Sequence, residues 1–261
     1  MKRLLWVLYL LLPVLAYAQK EKDVKLNVVY VGNSITQGAL LAHPEQEAPP
    51  VQASGWLRQQ VGISGVEYAN MGASGKTTVD FLPASETFFP RVQQAAEKLT
   101  QQNPKATLVF SMMLGTNDSA VKGPNGAPVS PAQYYTNVKV IVDELLAAYP
   151  KAVVVLHRPI WYSPNTHNNA VYLKEGLQRL TSYYPILQKL VKYYREHTSY
   201  KVVMGDTEAY DYFSNHQGMF TSEDGQAGVF HLHPNKEGAA RLGEFWGKAV
   251  YDAVFRGAMN H

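Results

Sequence analysis

Ala152-Val153-Val154-Val155-Leu156 is apolar at every position. A strand with one face in water alternates apolar and polar side chains, so a short β-branched run without alternation fits a strand covered by helices on both faces. Four more short β-rich runs, 26–31, 66–69, 107–112 and 201–204, are spread along the chain. Segments of helical period at 51–61, 85–102, 131–148, 168–197 and 235–255 are long enough to cross over and return to a sheet. Strands alternating with such helices predict an α/β fold, a three-layer α/β/α sandwich with about five parallel strands, flavodoxin-like in organisation. Pro, Gly and Asn cluster at 44–50, 122–131 and 163–169 and read as surface loops, with a further long irregular stretch expected at 210–229.

Lys2 and Arg3 precede an apolar stretch at 4–15 and then Ala16-Tyr17-Ala18. A basic start, a short apolar core and a small-x-small site make residues 1–18 a secretory signal peptide, leaving 19–261 as one domain. The apolar stretch is shorter than the ~20 residues that span a bilayer, so no integral membrane segment is expected in the mature chain. The chain has no cysteine, which excludes a disulfide scaffold and suits a bacterial periplasm, cell surface or secreted setting. The formal charge is +3, and removing Lys2 and Arg3 leaves +1. Such a balance gives no electrostatic case for nucleic acid.

In open α/β sheets, ligands sit at the carboxyl ends of the strands. There the first strand is followed by Gly32-Asn33-Ser34-Ile35-Thr36, the second by Asn70-Met71-Gly72-Ala73-Ser74-Gly75, and the third by Gly115-Thr116-Asn117-Asp118. His231-Leu232-His233-Pro234-Asn235 precedes the last helix. A serine hydroxyl needs a base within hydrogen-bond reach, which an imidazole supplies. Charge building on a carbonyl oxygen needs aimed donors, such as a glycine N–H or an asparagine amide.

These four blocks, in this order, resemble the SGNH (GDSL-like) hydrolase family over nearly the whole mature chain. The resemblance implies a serine esterase with Ser34 as nucleophile and His233 as general base. It also implies an oxyanion hole formed by the Ser34 N–H, Gly72 and Asn117, with no metal and no cofactor. Two positions depart from the family pattern: Asn33 stands where Asp is usual, and Phe230 stands three residues before His233, where an orienting Asp is common. Asp224 or Glu223 from the preceding loop, a backbone carbonyl, or water in a Ser-His dyad would have to substitute. The expectation falls on Asp224 or a carbonyl, and on Asp118 as a loop tie.

Other chemistries fit less well. Gly75-Lys76-Thr77 ends like a phosphate-binding loop, but Asn70 stands where that loop needs its first glycine. His231 and His233 alternate as metal ligands on a strand would, yet no further ligands complete a set of three or four. His157 reads as a packing or loop-anchoring residue and Arg158 as a salt-bridge partner. Trp161, Tyr162, Tyr210, Tyr212 and Phe213 fall in loops on the active edge and are expected to form a rim for sugar rings. With no long apolar lid evident, the expected substrate is a short acyl, first an O-acetyl, ester of a glycan, or another small ester. The alternatives are a lysophospholipase or thioesterase, and a degenerate carbohydrate-binding domain.

Overall fold

The computed structural model describes residues 23–255; the leader expected at 1–18 lies outside them. Five strands, β1 Val24–Gly32, β2 Ile63–Gly72, β3 Thr107–Met113, β4 Val153–Leu156 and β5 Lys201–Met204, pair in parallel in the order β2-β1-β3-β4-β5. The helices are α1 Ser34–Gln37, α2 Pro44–Glu47, α3 Pro49–Leu57, α4 Phe89–Gln102, α5 Pro131–Ala148, α6 Leu173–His197, α7 Ala209–Asn215 and α8 Lys236–Phe255.

The pleat of β1 explains the three layers. Val29 and Val31 face a core built with Val92 and Ala96 of α4, Val138 and Ile141 of α5, and Leu187 and Leu190 of α6. Val28 and Tyr30 face the opposite core, with Leu57 of α3 and Leu242 and Trp246 of α8. Alternate residues of one strand thus serve two cores, which is why a buried run such as Val153–Leu156 is apolar without alternation. On α8, Gly243 lets the backbone lie against α3, since a Cβ there would stand 2.9 Å from the Ala53 nitrogen. Among the described residues no helix is long and apolar enough to cross a membrane.

The strand order reverses at β1. The chain steps out to β2, returns across β1 to β3 and then runs on to β4 and β5. At such a reversal the connections leave in opposite directions and open a crevice at the carboxyl ends of β1 and β3. Ser34 follows β1 and Asn117 follows β3, so both border that crevice.

The stretch 210–229 differs from the expected irregular loop. It contains α7 and most of an antiparallel hairpin, β6 Phe220–Gly225 and β7 Gly228–Pro234. Thr221, Ser222, Glu223 and Asp224 are polar on both faces, so β6 carries no apolar alternation. The hairpin is anchored instead through Phe230 and Leu232 of β7, both buried in the α4–α6 core.

Candidate active site

The nucleophile turn follows directly from the end of β1. Asn33 caps α1, its Oδ1 accepting the Ile35 N–H at 3.0 Å. A cap needs only an acceptor oxygen, so Asn serves where Asp is usual, although its Nδ2 is buried without a partner. Ser34 is the first residue of α1, and its N–H has no carbonyl one turn earlier to receive it.

The segment after β2 straps this turn from the side. Asn70 Nδ2 donates to the Thr36 carbonyl at 2.9 Å, and the Ser74 N–H and Oγ–H donate to Gln37 Oε1 at 2.8 and 2.7 Å. At Gly72 the backbones of β2 and α1 approach closely: a Cβ would stand 2.7 Å from Gln37 Cα. Its N–H does not stand open as an oxyanion donor, because it donates to Asn70 Oδ1 at 2.9 Å.

Asn117 is held at both ends of its amide. Tyr172 donates its hydroxyl to Oδ1 at 2.7 Å, and Nδ2 donates to the Lys76 carbonyl at 2.8 Å. These partners fix the orientation of the amide and leave Nδ2 one further hydrogen to donate. Sequence reasoning gave no sign of Tyr172, which is 55 residues away in the chain.

His233 Nε2 lies 2.9 Å from Ser34 Oγ, and its Nδ1 lies 2.9 Å from Glu223 Oε1. The same carboxylate oxygen accepts the His233 backbone N–H at 3.2 Å. An ionised carboxylate only accepts, so Nδ1 carries the proton and Nε2 is left to receive the serine's. The side chains of His233 and Glu223 are 11% and 14% exposed, enough to admit a substrate yet largely shielded from competing water.

Asp224 does not take that place. It is exposed, and as the next residue along β6 it points to the opposite face of the ribbon from Glu223. Phe230 is the register partner of Glu223, so the carboxylate stands directly across the ladder from the position where the family's Asp is common. The ribbon is pinned by reciprocal bonds between Ser163 and His231 at 2.9 and 2.8 Å and by Asn165 Nδ2 donating to the Val229 carbonyl at 2.7 Å. Asn235 then starts α8, accepting the Gly238 N–H at 2.9 Å.

A family model for the GDSL-like lipases and acylhydrolases matches residues 30–241. The chain belongs to that family. It is a carboxylic ester hydrolase of the SGNH type. No protein in the curated collection matches it. Among solved structures it is similar in fold to Est24, a carbohydrate acetylesterase from Sinorhizobium meliloti, with 18% identity, a TM-score of 0.57, and 88% of this chain and 99% of that one covered. It is also similar to a two-domain esterase active on acetylated mannans, with 14% identity, a TM-score of 0.55, and coverage of 90% and 51%. A third likeness is to the aryl esterase of M. smegmatis, with 16% identity, a TM-score of 0.56, and coverage of 87% and 99%.

Other residues singled out in this GDSL-like hydrolase have structural surroundings. His157 is buried, accepting the Asp206 N–H at Nδ1 at 3.0 Å and meeting Ser111 Oγ at 2.8 Å through Nε2. Burial lowers its pKa to about 3, so it is a neutral clamp joining β3, β4 and the turn after β5. The Arg158 guanidinium lies 3.7 Å from the ring centre of Tyr210 and 3.7 Å from Asp211. Trp161, Tyr162 and Phe213 are buried, which corrects the expectation that they form a sugar-binding rim: they pack under the ribbon and helices instead. His231 meets Ser222 Oγ at 3.4 Å, and among the described residues no three His, Cys, Asp or Glu side chains cluster as a metal site.

Asp118 ties two loops. Its Oδ1 accepts from the N–H of Thr78 at 2.9 Å and from the Thr78 hydroxyl, while its buried Oδ2 has no partner. Burial raises its pKa from 3.8 to about 6. Between pH 4 and 6 the folded state therefore holds a proton that the unfolded state has released, so this group's contribution to stability falls as pH rises through that window and levels off above it. The full span is about 3 kcal/mol. Asp118→Asn, an isostere of the protonated form, is expected to flatten this part of the stability profile and to raise stability at pH 7. Urea unfolding at pH 4, 5, 6 and 7 measures it; an unchanged slope in the variant would assign the dependence elsewhere.

Proposed function

We propose that the protein is an exported esterase that removes short acyl groups, first of all O-acetyl groups, from carbohydrates through an acyl-Ser34 intermediate. The observation that carries this reading is the continuous line Ser34–His233–Glu223, with 2.9 Å at each step. Ser34 Oγ attacks the ester carbonyl as its proton passes to His233 Nε2, and Glu223 stabilises the imidazolium that forms. The negative charge on the carbonyl oxygen is met by the Ser34 N–H and the remaining hydrogen of Asn117 Nδ2. The Gly72 N–H joins them only by leaving Asn70 Oδ1. His233 then returns the proton to the departing sugar hydroxyl. Water, deprotonated in turn by Nε2, releases the acid and restores Ser34.

A short acyl group is favoured because the described residues offer no broad apolar surface for a long chain. The exposed large hydrophobic residues are Leu40 and Val61 in two separate turns, Val140 on α5 and Val229 on β7. The carbohydrate part is supported by the two similar structures that act on acetylated carbohydrates, and export by Lys2-Arg3, the apolar stretch at 4–15 and Ala16-Tyr17-Ala18. With Glu223 beside His233, Phe230 no longer argues for a degenerate binding domain. A fluorophosphonate probe is expected to label the peptide containing Ser34, and the folded protein to hydrolyse p-nitrophenyl acetate faster than the octanoate ester. Folded protein that neither labels nor turns over acetate would overturn the reading.

A further inference from the structure

The loop between β4 and α6 is fastened at one end to the ribbon that carries the base and at the other to the Asn117 amide. At its start the Ser163 N–H donates to the His231 carbonyl at 2.9 Å, and Ser163 Oγ accepts the His231 N–H at 2.8 Å. Further along, Asn165 Nδ2 donates to the Val229 carbonyl at 2.7 Å, and the His167 carbonyl accepts the Gln226 N–H at 2.8 Å. At its end the Tyr172 hydroxyl donates to Asn117 Oδ1 at 2.7 Å. Burial, with the Glu223 carboxylate nearby, pushes the Tyr172 pKa up, so the phenol stays protonated and remains a donor.

Thr166 joins the two ends. It is fully buried, and its N–H and hydroxyl both donate to the Ser163 carbonyl, at 3.0 and 2.7 Å. Its own carbonyl accepts the N–H groups of Tyr172 and Leu173, at 3.2 and 3.1 Å. A continuous line therefore runs from His231 through Ser163, Thr166 and Tyr172 to Asn117. The joint is strained: Leu173 has φ 53°, in the left-handed region that disfavours a branched side chain. Such a conformation persists only where its surroundings hold it, and the bond to Thr166 is part of that hold.

We infer that the 163–172 loop couples the two halves of the site, so that a displacement of the base ribbon also displaces the Asn117 amide, with Thr166 as the positioning residue at the joint. The inference rests on the esterase reading for the roles of His233 and Asn117. A contiguous hydrogen-bonded line is a physical route for coupling, and the demonstration of it is energetic.

The test is a double-mutant cycle in the full chain, read as kcat and KM on p-nitrophenyl acetate, with thermal melts as a check on folding. Ser163→Ala loosens the ribbon end and Tyr172→Phe the amide end, each lowering kcat by roughly threefold to tenfold with KM little changed. The double variant is expected to lose at least about threefold less than the product of the two single losses, beyond the scatter of independent sites. In a Thr166→Val background the two losses are expected to multiply to within about twofold, whereas Thr166→Ser, which keeps the hydroxyl, preserves the coupling. Losses that multiply in the parent, coupling that survives Thr166→Val, or coupling lost equally in Thr166→Ser would overturn the inference. Hydrogen exchange tests it without catalysis: Tyr172→Phe is expected to speed exchange of the 226–233 amides by at least about threefold, and unchanged exchange would overturn the coupling. Folded parent protein that turns over no ester would remove the esterase reading, while faster exchange in Tyr172→Phe would leave the coupling of ribbon and amide standing.

Discussion

Glu223→Gln is expected to lower kcat on p-nitrophenyl acetate by roughly a hundredfold to ten-thousandfold, with KM little changed. Glu223 Oε1 receives both the Nδ1–H and the backbone N–H of His233, so it sets the tautomer and offsets the charge that develops on the ring. The glutamine keeps a neutral acceptor, but its amide nitrogen can equally face Nδ1 and favour the wrong tautomer. Asp224→Asn, at the neighbouring exposed position, is expected to leave kcat within about twofold, as is usual for a substitution away from the reacting groups. The two variants, assayed side by side with thermal melts as a check on folding, decide the assignment: equal effects, or a larger effect at Asp224, would remove Glu223 from the relay.

Asn117→Ala is expected to cost about a hundredfold to a thousandfold in kcat, the usual loss when one oxyanion donor is removed. Part of that loss is orientational, because the amide is held between the Tyr172 hydroxyl and the Lys76 carbonyl. Tyr172→Phe keeps the ring and removes only the hydrogen bond, so a smaller loss of roughly fivefold is expected. Pre-steady-state acylation kinetics on the three proteins separate the contributions. If Asn117→Ala slows deacylation and leaves acylation at the wild-type rate, the amide does not serve the first tetrahedral intermediate.

Much of this architecture was legible in the sequence because it is written in contiguous residues. β4 carries its burial in an uninterrupted apolar run, Val153–Leu156, and α5 falls at Pro131–Ala148, as its period and Pro131 at the start indicate. Ser34 and His233 stand in short blocks whose neighbours have local duties: Asn33 caps α1 and Asn235 starts α8. What was not legible depends on residues meeting across space. Glu223 lies in a strand polar on both faces, and only the register of the hairpin distinguishes it from Asp224. Aromatic residues in loops looked like a sugar platform, yet the depth at which Trp161, Tyr162 and Phe213 lie follows from packing that no local pattern encodes. Tyr172 left no trace at all, since a hydroxyl aimed at a distant amide has no sequence signature.

Base and carboxylate ride on one two-stranded ribbon, whereas the nucleophile starts α1 at the end of the central strand β1. An isolated two-stranded hairpin is marginal in water, and this one is held through Phe230, Leu232 and a few bonds to 163–165. Local opening of such a unit needs less free energy than global unfolding. When the ribbon lifts, Ser34 loses its proton acceptor and that acceptor's counter-charge in a single event, while the turn that presents the hydroxyl stays built. Activity thus depends on one small element staying docked, and not only on the sheet beneath it.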